Sequence, residues 1–325
     1  MAFIDRDRSH MSDIKLFRIS SAKAIELSSM ASDLEKPLQT LIEKNLDEFF
    51  GIRFLASEYS TGKTHAGRID TLGLDEDNCP VIIEYKRSVG ENVISQGLYY
   101  LDWLMDHQAE YKLLAIDTLG DAAAAKIDWS APRLLCIAAD FTKYDAHAVQ
   151  QIDRNVELVR YRRFGADQLL FELVSAVTSK AKSTKKKAGA GQADAPVNKK
   201  GAAGTKTSPD LISSLPKSQL ELLIAMESYI LSLGDDVQRK ELKLYVAYKR
   251  LKNFASIVPQ KNALLLHLHL DPATVNPLPK NARDMSKTGH WGTGELQFTI
   301  KSLEQFNQAK PYIATAYLGN STSKV

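Results

Sequence analysis

The sequence predicts an α/β protein, a mixed central sheet flanked by helices, followed by a smaller α+β domain. Apolar residues recur at helical spacing in some segments and in short alternating or continuous runs in others. The two kinds interleave over residues 11–178, as a sheet with covering helices requires. A stretch without aromatic residues, 179–208, then separates them from a second set of elements over residues 209–325.

The elements follow in order. In "SDLEKPLQTLIEKNLDEFFG" Ser32 or Asp33 suits an N-cap, and Leu34, Leu38, Leu41, Ile42 and Leu46 share a helical face. Pro37 falls in the first turn, where a missing N–H does little harm, and Gly51 can end the helix. "IRFLASEYST" reads as a strand, and "AGRIDTLGLD" with "PVIIEYKRS" as a strand pair across the turn Glu76-Asp77-Asn78. "NVISQGLYYLDWLMDHQAEY" reads as one helix with Ile94, Leu98, Leu101 and Leu104 or Met105 inward. "PRLLCIAAD" is a buried strand, "YDAHAVQQID" a helix, and "VELVRYRRFG" and "QLLFELV" are strands. In the second part "SQLELLIAMESYILSLG" is a helix, and "KLYVAYKRLKNFASIVPQKNALLLHLHLD" and "GELQFTI" supply strands. "SLEQFNQAKPYIATAYLG" closes the chain as a helix.

The separating stretch is rich in Lys, Ala and Gly and has too little apolar surface to offset the entropy of ordering. It reads as a flexible linker. Its lysines, Lys185, Lys186 and Lys187 among them, could also attract a polyanion. Residues 1–10 run into Ser-His-Met at a second plausible start, Met11, and read as a cloning remnant.

With 325 residues, 44% hydrophobic and 25% charged, the chain has ample material for two cores. A net charge of +3 is too small to make it a basic protein as a whole. Cys79 and Cys136 have no metal-ligand spacing and read as buried thiols. No apolar run approaches the roughly 20 residues that cross a bilayer. A cytoplasmic protein without a membrane partner is expected.

One segment breaks the pattern of apolar strands. Glu84 and Lys86, two apart in "VIIEYK", leave one face of a buried strand together, while Tyr85 points to the other. Asp70 on the preceding strand comes close if the two form a hairpin. Two neighbouring carboxylates resist ionising together, and a divalent cation removes that penalty. A lysine beside the ion could orient a water or stabilise negative charge, a plausible arrangement for cutting a phosphodiester. The same three residues could equally form an ion network without chemistry. Gln96 and Tyr100, four apart on the next helix, share a face near the strand end that carries Lys86. Glu35 on the first helix would add a third carboxylate if that helix crosses nearby. Core packing for Tyr100 and solvated or satisfied polar roles for Glu35 and Gln96 remain open.

This set resembles the PD-(D/E)xK nuclease superfamily, in particular its RecB-like branch and NucS-like endonuclease domains. The residues that carry the resemblance are Glu35 in "EKPLQ", Asp70 in "GRIDTLG", Glu84 and Lys86 in "IIEYK", and Gln96 with Tyr100 in "QGLYY". Ile69 stands where the family often has proline. The resemblance implies a restriction-endonuclease-like core and metal-dependent hydrolysis of DNA in repair or defence. It implies Mg²⁺ or Mn²⁺ held by Asp70, Glu84 and the Tyr85 backbone carbonyl, with Glu35 as an additional ligand. It implies that Lys86 positions the attacking water and that Gln96 and Tyr100 orient the site. DNA is the implied partner, and a homodimer is left open.

The second part resembles an uncharacterised domain found at the end of similar proteins, in "YVAYKRLKNFASIVPQK" and "GHWGTGELQFTI". Tyr245, Tyr248, Lys249, Arg250, Lys252 and Phe254 interleave aromatic and basic side chains. That suits stacking and phosphate contact, with Tyr248, Lys249, Arg250 and Lys252 as candidates. A packed aromatic face with a solvated basic one is the alternative. His267 and His269 are expected on an exposed strand face, and His290 with Trp291 on a turn that either recognises a ligand or anchors to the core. Two rival readings of the whole chain remain: a nuclease fold that binds nucleic acid without cutting it, and a regulatory partner-binding protein.

Overall fold

A computed structural model describes residues 14–30, 35–62, 66–86, 93–177, 207–288 and 292–319. It divides into two compact units, residues 1–179 with 250–252 and residues 180–249 with 253–325. The expected linker, the Ser32/Asp33 cap and the His290–Trp291 turn fall wholly or almost wholly outside the described residues.

The N-terminal unit begins with an exposed hairpin, β1 (Leu16–Ser20) and β2 (Lys23–Leu27), and a short β3 (Ser29–Met30). Helix α1 (Glu35–Lys44) is followed by α2 (Leu46–Phe50), which ends at Gly51 with φ +61°, a left-handed cap that glycine adopts without cost. Strands β4 (Ile52–Ser60), β5 (Arg68–Asp75) and β6 (Pro80–Lys86) form an antiparallel meander. Near its start β4 carries a bulge, the register shifting between Phe54 and Ala56.

Three helices follow: α3 (Val93–Asp106), α4 (Gln108–Leu119) and the short α5 (Asp121–Ala124). The single helix expected over 92–111 is thus two. His107 leaves helical geometry at φ −114°, ψ 34°, and its ring stacks on Trp103 at 4.8 Å. Strand β7 (Arg133–Ala138), helix α6 (Lys143–Gln150) and strands β8 (Asn155–Phe164) and β9 (Gln168–Val177) complete the unit. A capping box between Thr142 and Asp145 starts α6.

The main sheet runs β3-β8-β7-β6-β5-β4, with β9 paired to β8. Strands β6, β7 and β8 are parallel and the rest antiparallel, so the sheet is mixed. Every residue of β7 is buried, and after Arg133 the strand is continuously apolar, as an interior strand of such a sheet requires. One core gathers Leu72, Ile82, Leu101, Trp103 and Leu134, and a second gathers Leu38, Ile42, Ile83, Tyr85 and Ile137. The alternation of Ile82 and Ile83 between them is the strand's period of two.

The C-terminal unit opens with α7 (Ser208–Ser213) and α8 (Lys217–Leu231). Strands β10 (Gln238–Glu241), β11 (Val246–Lys249), β12 (Asn253–Gln260), β13 (Ala263–Leu268), β14 (Ala282–Asp284) and β15 (Leu296–Ile300) follow. They pair antiparallel in the order β10-β11-β12-β13-β15-β14. Helix α9 (Leu303–Leu318) packs Phe306, Ala309, Ile313 and Ala316 into the unit's core. Among the described residues no helix is long and apolar enough to cross a membrane.

Two expectations for this unit fail on burial. Tyr248 is fully buried, with its hydroxyl donating to Glu227 on α8 at 2.7 Å, and Lys249 is 2% exposed. A ring sunk in the core has no face for a base, so Tyr248 is a packed tyrosine with a satisfied hydroxyl. Arg250 and Lys252 are half-buried. His267 is 1% exposed, not solvated, and His269 is half-buried.

Candidate active site

The site lies where the β5–β6 ladder stops. Its last regular pair is Thr71 with Ile83, so the next positions, Asp70 and Glu84, face each other across the two strands. There side chains replace the backbone ladder. The Asp70 amide donates to Glu84 Oε1 at 3.3 Å, and the Tyr85 amide donates to Asp70 Oδ2 at 3.0 Å. Each carboxylate thus ties the partner strand, and the pair is held at the sheet end by the backbone it terminates.

Helix α1 secures the same point from one side. Gln39, buried, donates through Nε2 to the Asp70 carbonyl at 3.0 Å and to Glu43 Oε1 at 2.9 Å. Glu43 also accepts from the Thr71 hydroxyl at 2.6 Å. Helix α3 secures it from another. The Arg68 amide donates to the Tyr100 hydroxyl at 3.1 Å, and Gln96 Nε2 donates to the same oxygen at 3.3 Å. A Cβ at position 67 would lie 2.6 Å from the Tyr100 ring, so Gly67 is what lets the ring approach.

The electrostatics are lopsided. Glu84 is fully buried, and its Oε2 has no hydrogen-bond partner. Burial first, then the Asp70 charge, pushes its pKa up to about 9; the Asp70 amide and Lys86 pull the other way, and Glu58 adds to the rise. A carboxyl in this state is held neutral at pH 7 unless positive charge arrives. Lys86 is half-buried at the strand end, two residues on. Tyr85 points to the opposite face, where its hydroxyl lies 3.3 Å from Thr71 Oγ1 and burial raises its phenol.

Of the residues predicted from sequence, Asp70, Glu84 and Lys86 fall at one end of the sheet, with Gln96 and Tyr100 joined to it through Arg68. Glu35 is the first residue of α1, and its side chain lies outside the described residues. Sequence reasoning missed Gln39, Lys36, Glu58 and Arg68. The position of Gln39, four after Glu35 in "EKPLQ", was the available signal. Glu58 becomes visible only with the β4–β5 register, because Ser57 pairs with Thr71 and Tyr59 with Ile69, which sets Glu58 opposite Asp70.

Among the described residues no three or more His, Cys, Asp or Glu side chains gather closely enough to hold an ion by themselves. The donor set still fits a hard divalent ion: two adjacent carboxylates, one with an unpartnered buried oxygen, suit an ion that keeps several waters.

The C-terminal unit resembles a known family. Residues 209–320 match a domain of unknown function, DUF5655. An uncharacterized protein of Haemophilus influenzae is 29% identical over 299 residues, spanning 90% of this chain and 95% of that protein. Two solved structures align with part of the chain: a repair endonuclease from Pyrococcus abyssi at 18% identity and an EndoMS–dsDNA complex at 20%. Each alignment covers 41% of this chain and 49% of the other, with a TM-score of 0.27, too low to carry an argument about this molecule.

Proposed function

We propose that the protein is a metal-dependent DNA endonuclease of the PD-(D/E)xK kind, with a restriction-endonuclease-like core in the N-terminal unit. The observation that carries this reading is the Asp70–Glu84 pair. Two carboxylates are interlocked at a strand end, and one is fully buried with an oxygen left without a partner. A purely structural pair would be expected to satisfy that oxygen, because an unmade hydrogen bond in the interior costs about 1–3 kcal/mol. A cation at this place compensates both charges.

Asp70, Glu84 and the Tyr85 carbonyl would hold Mg²⁺ or Mn²⁺, with Glu35 as an additional ligand. Such an ion, when bound, supplies a water of lowered pKa and positive charge at the phosphate. Lys86 orients the attacking oxygen and neutralises charge that develops on the phosphate. Gln96 and Tyr100 act on position: through the Arg68 amide they fix the start of β5 and so the place of Asp70. Water adds to phosphorus and gives up a proton to solvent, the P–O bond to the leaving strand breaks, and that oxygen takes up a proton from solvent. The C-terminal unit contributes recognition of the substrate or of a partner.

The test is a cleavage panel of plasmid, linear and branched DNA with Mg²⁺ and with Mn²⁺. Metal-dependent cutting that disappears in Glu84→Gln supports the reading. Salt-dependent binding without cutting of any substrate would replace it with a silent binding module. No interaction with DNA would leave a partner-binding protein.

A further inference from the structure

Two cations stand beside the acidic pair, and one carboxylate occupies both. Glu58 Oε1 meets Lys36 Nζ at 2.7 Å, and Glu58 Oε2 meets Arg68 Nε at 2.5 Å. One oxygen on each cation is also how an ammonium and a guanidinium would share a phosphate. The Lys36 hydrogen bond, followed by the charges of Lys36 and Arg68, holds the Glu58 carboxyl below its ordinary range. The cations face solvent: their side chains are 60% and 68% exposed, against 27% for Glu58. A large polyanion could therefore reach them without unfolding anything.

Both cations ride on segments that also place Asp70. Arg68 lies two residues before it on β5, and Lys36 lies three before Gln39, which holds the Asp70 carbonyl. Glu58 itself has φ +55°, a left-handed backbone that costs a residue with a side chain about 1 kcal/mol or more. Strain of this kind at a site suggests a side chain held for a purpose, and the carboxylate it carries is bidentate on two cations.

We propose that Lys36 and Arg68 form a cradle for a backbone phosphate of the nucleic acid, and that Glu58 is a built-in stand-in which the phosphate displaces. The identity of the ligand rests on the nuclease reading; the exchange itself rests on the ion triad. Binding then carries an internal competition: the polyanion must replace Glu58 before it gains these two contacts. Removing the stand-in should strengthen binding, and removing the cradle should weaken it.

The experiment measures binding of a labelled short DNA duplex by fluorescence anisotropy in EDTA, over a series of salt concentrations, using the full chain. Glu58→Gln should tighten binding roughly three- to tenfold, in line with the small worth of two exposed ion pairs. The double variant Lys36→Ala, Arg68→Ala should bind more weakly, with a log–log salt slope shallower by about 2. Adding Glu58→Gln to that double variant should bring no further gain. Asp102→Asn is the charge control, since Asp102 is 69% exposed and pairs with Arg154 on the same unit. If Glu58→Gln tightens binding no more than Asp102→Asn, or gains equally without the two cations, the cradle is overturned. The isosteric Glu58→Gln comparison decides even if the double variant folds poorly. The same preparations are tested for cleavage with Mg²⁺ and Mn²⁺. Wild-type protein that binds and cuts, with variants that bind as it does, removes the cradle alone. Wild-type protein that neither binds nor cuts removes the nuclease reading and the cradle with it.

Discussion

The two ends of the N-terminal sheet both bury charge, and they do it differently. At the end away from the candidate site, Arg133 on β7 lies between Asp75 on β5 and Glu157 on β8, with each contact at 3.0 Å. All three side chains are buried, and the Asp75 carboxylate also accepts from the amides of Asp77 and Cys79. Burial alone would lower the Arg133 pKa, but the charges of Glu157 and Asp75 outweigh it and hold the guanidinium protonated. At the other end Asp70 and Glu84 face each other, and one buried oxygen is left open. At one end a guanidinium sits between two carboxylates; at the other two carboxylates face each other. The comparison turns on how charge is paired rather than on burial alone, since Asp70 and Lys86 are half-buried where Asp75, Arg133 and Glu157 are buried.

The largest expected effect tests the open end. Lys86→Ala should lower DNA cleavage by about 10²- to 10⁴-fold while leaving folding and most DNA binding intact, as seen by single-turnover rates beside circular dichroism. Undiminished cutting would move the chemistry elsewhere. The closed end should answer in stability instead. Arg133→Ala leaves two buried carboxylates without their partner and should cost about 3–5 kcal/mol in urea unfolding. A loss below about 1 kcal/mol would show that the two ends are not built on different principles.

A pH titration sharpens the contrast. In chelator, the folded Glu84 carboxyl has a pKa near 9, against an ordinary 4.5. Between those values the folded state binds more protons than the unfolded one, so stability is fully present below the lower value and falls as pH rises toward the upper. The slope should approach about 1.4 kcal/mol per pH unit. Urea midpoints of metal-free protein across this window should decline, and Glu84→Gln should flatten the decline. A rise with pH would reverse the sign and remove the neutral carboxyl from the picture. The smallest effect concerns the scaffold behind Asp70. Gln39→Ala should cost roughly 0.5–1.5 kcal/mol of stability by removing the side-chain donor to the part-buried Asp70 carbonyl, with a reduced cleavage rate and metal dependence retained.

Much of this was legible before any coordinates. The meander around Asp70 and Glu84 is written in "GRIDTLGLD" and "PVIIEYK", where two short apolar-rich runs on either side of a short polar turn leave few other arrangements. Glu84 and Lys86 could be placed on one face for the same reason. What could not be read depends on contacts between elements. Gln39, Lys36 and Arg68 look like ordinary polar residues until α1, β4 and β5 are placed side by side. Glu58 needs the register, and the β4 bulge shifts that register by one residue in a way that spacing does not reveal. Tyr248 and Lys249 misled for a related reason: alternating aromatic and basic residues look the same on a binding face and in a strand whose tyrosine is sunk beside Glu227. The break at His107, where the ring stacks on Trp103, carries no glycine or proline signal in the sequence.

The bulge in β4 has a consequence for how copies of this protein behave in company. Among the described strands β4 ends the sheet, so one side of a nine-residue strand carries backbone donors and acceptors with no neighbouring strand. Such an edge is a template for a second chain to pair with, the usual route from a folded monomer to aggregates. The extra residue at Leu55 and the left-handed backbone at Glu58 break the regular spacing that an incoming strand would need to match. The same irregular strand that carries Glu58 to the site is therefore a poor template for a second chain. A variant that straightens it, by deleting Leu55 or easing Glu58 into extended geometry, should reveal itself first as concentration-dependent clumping in light scattering, ahead of any change in catalysis.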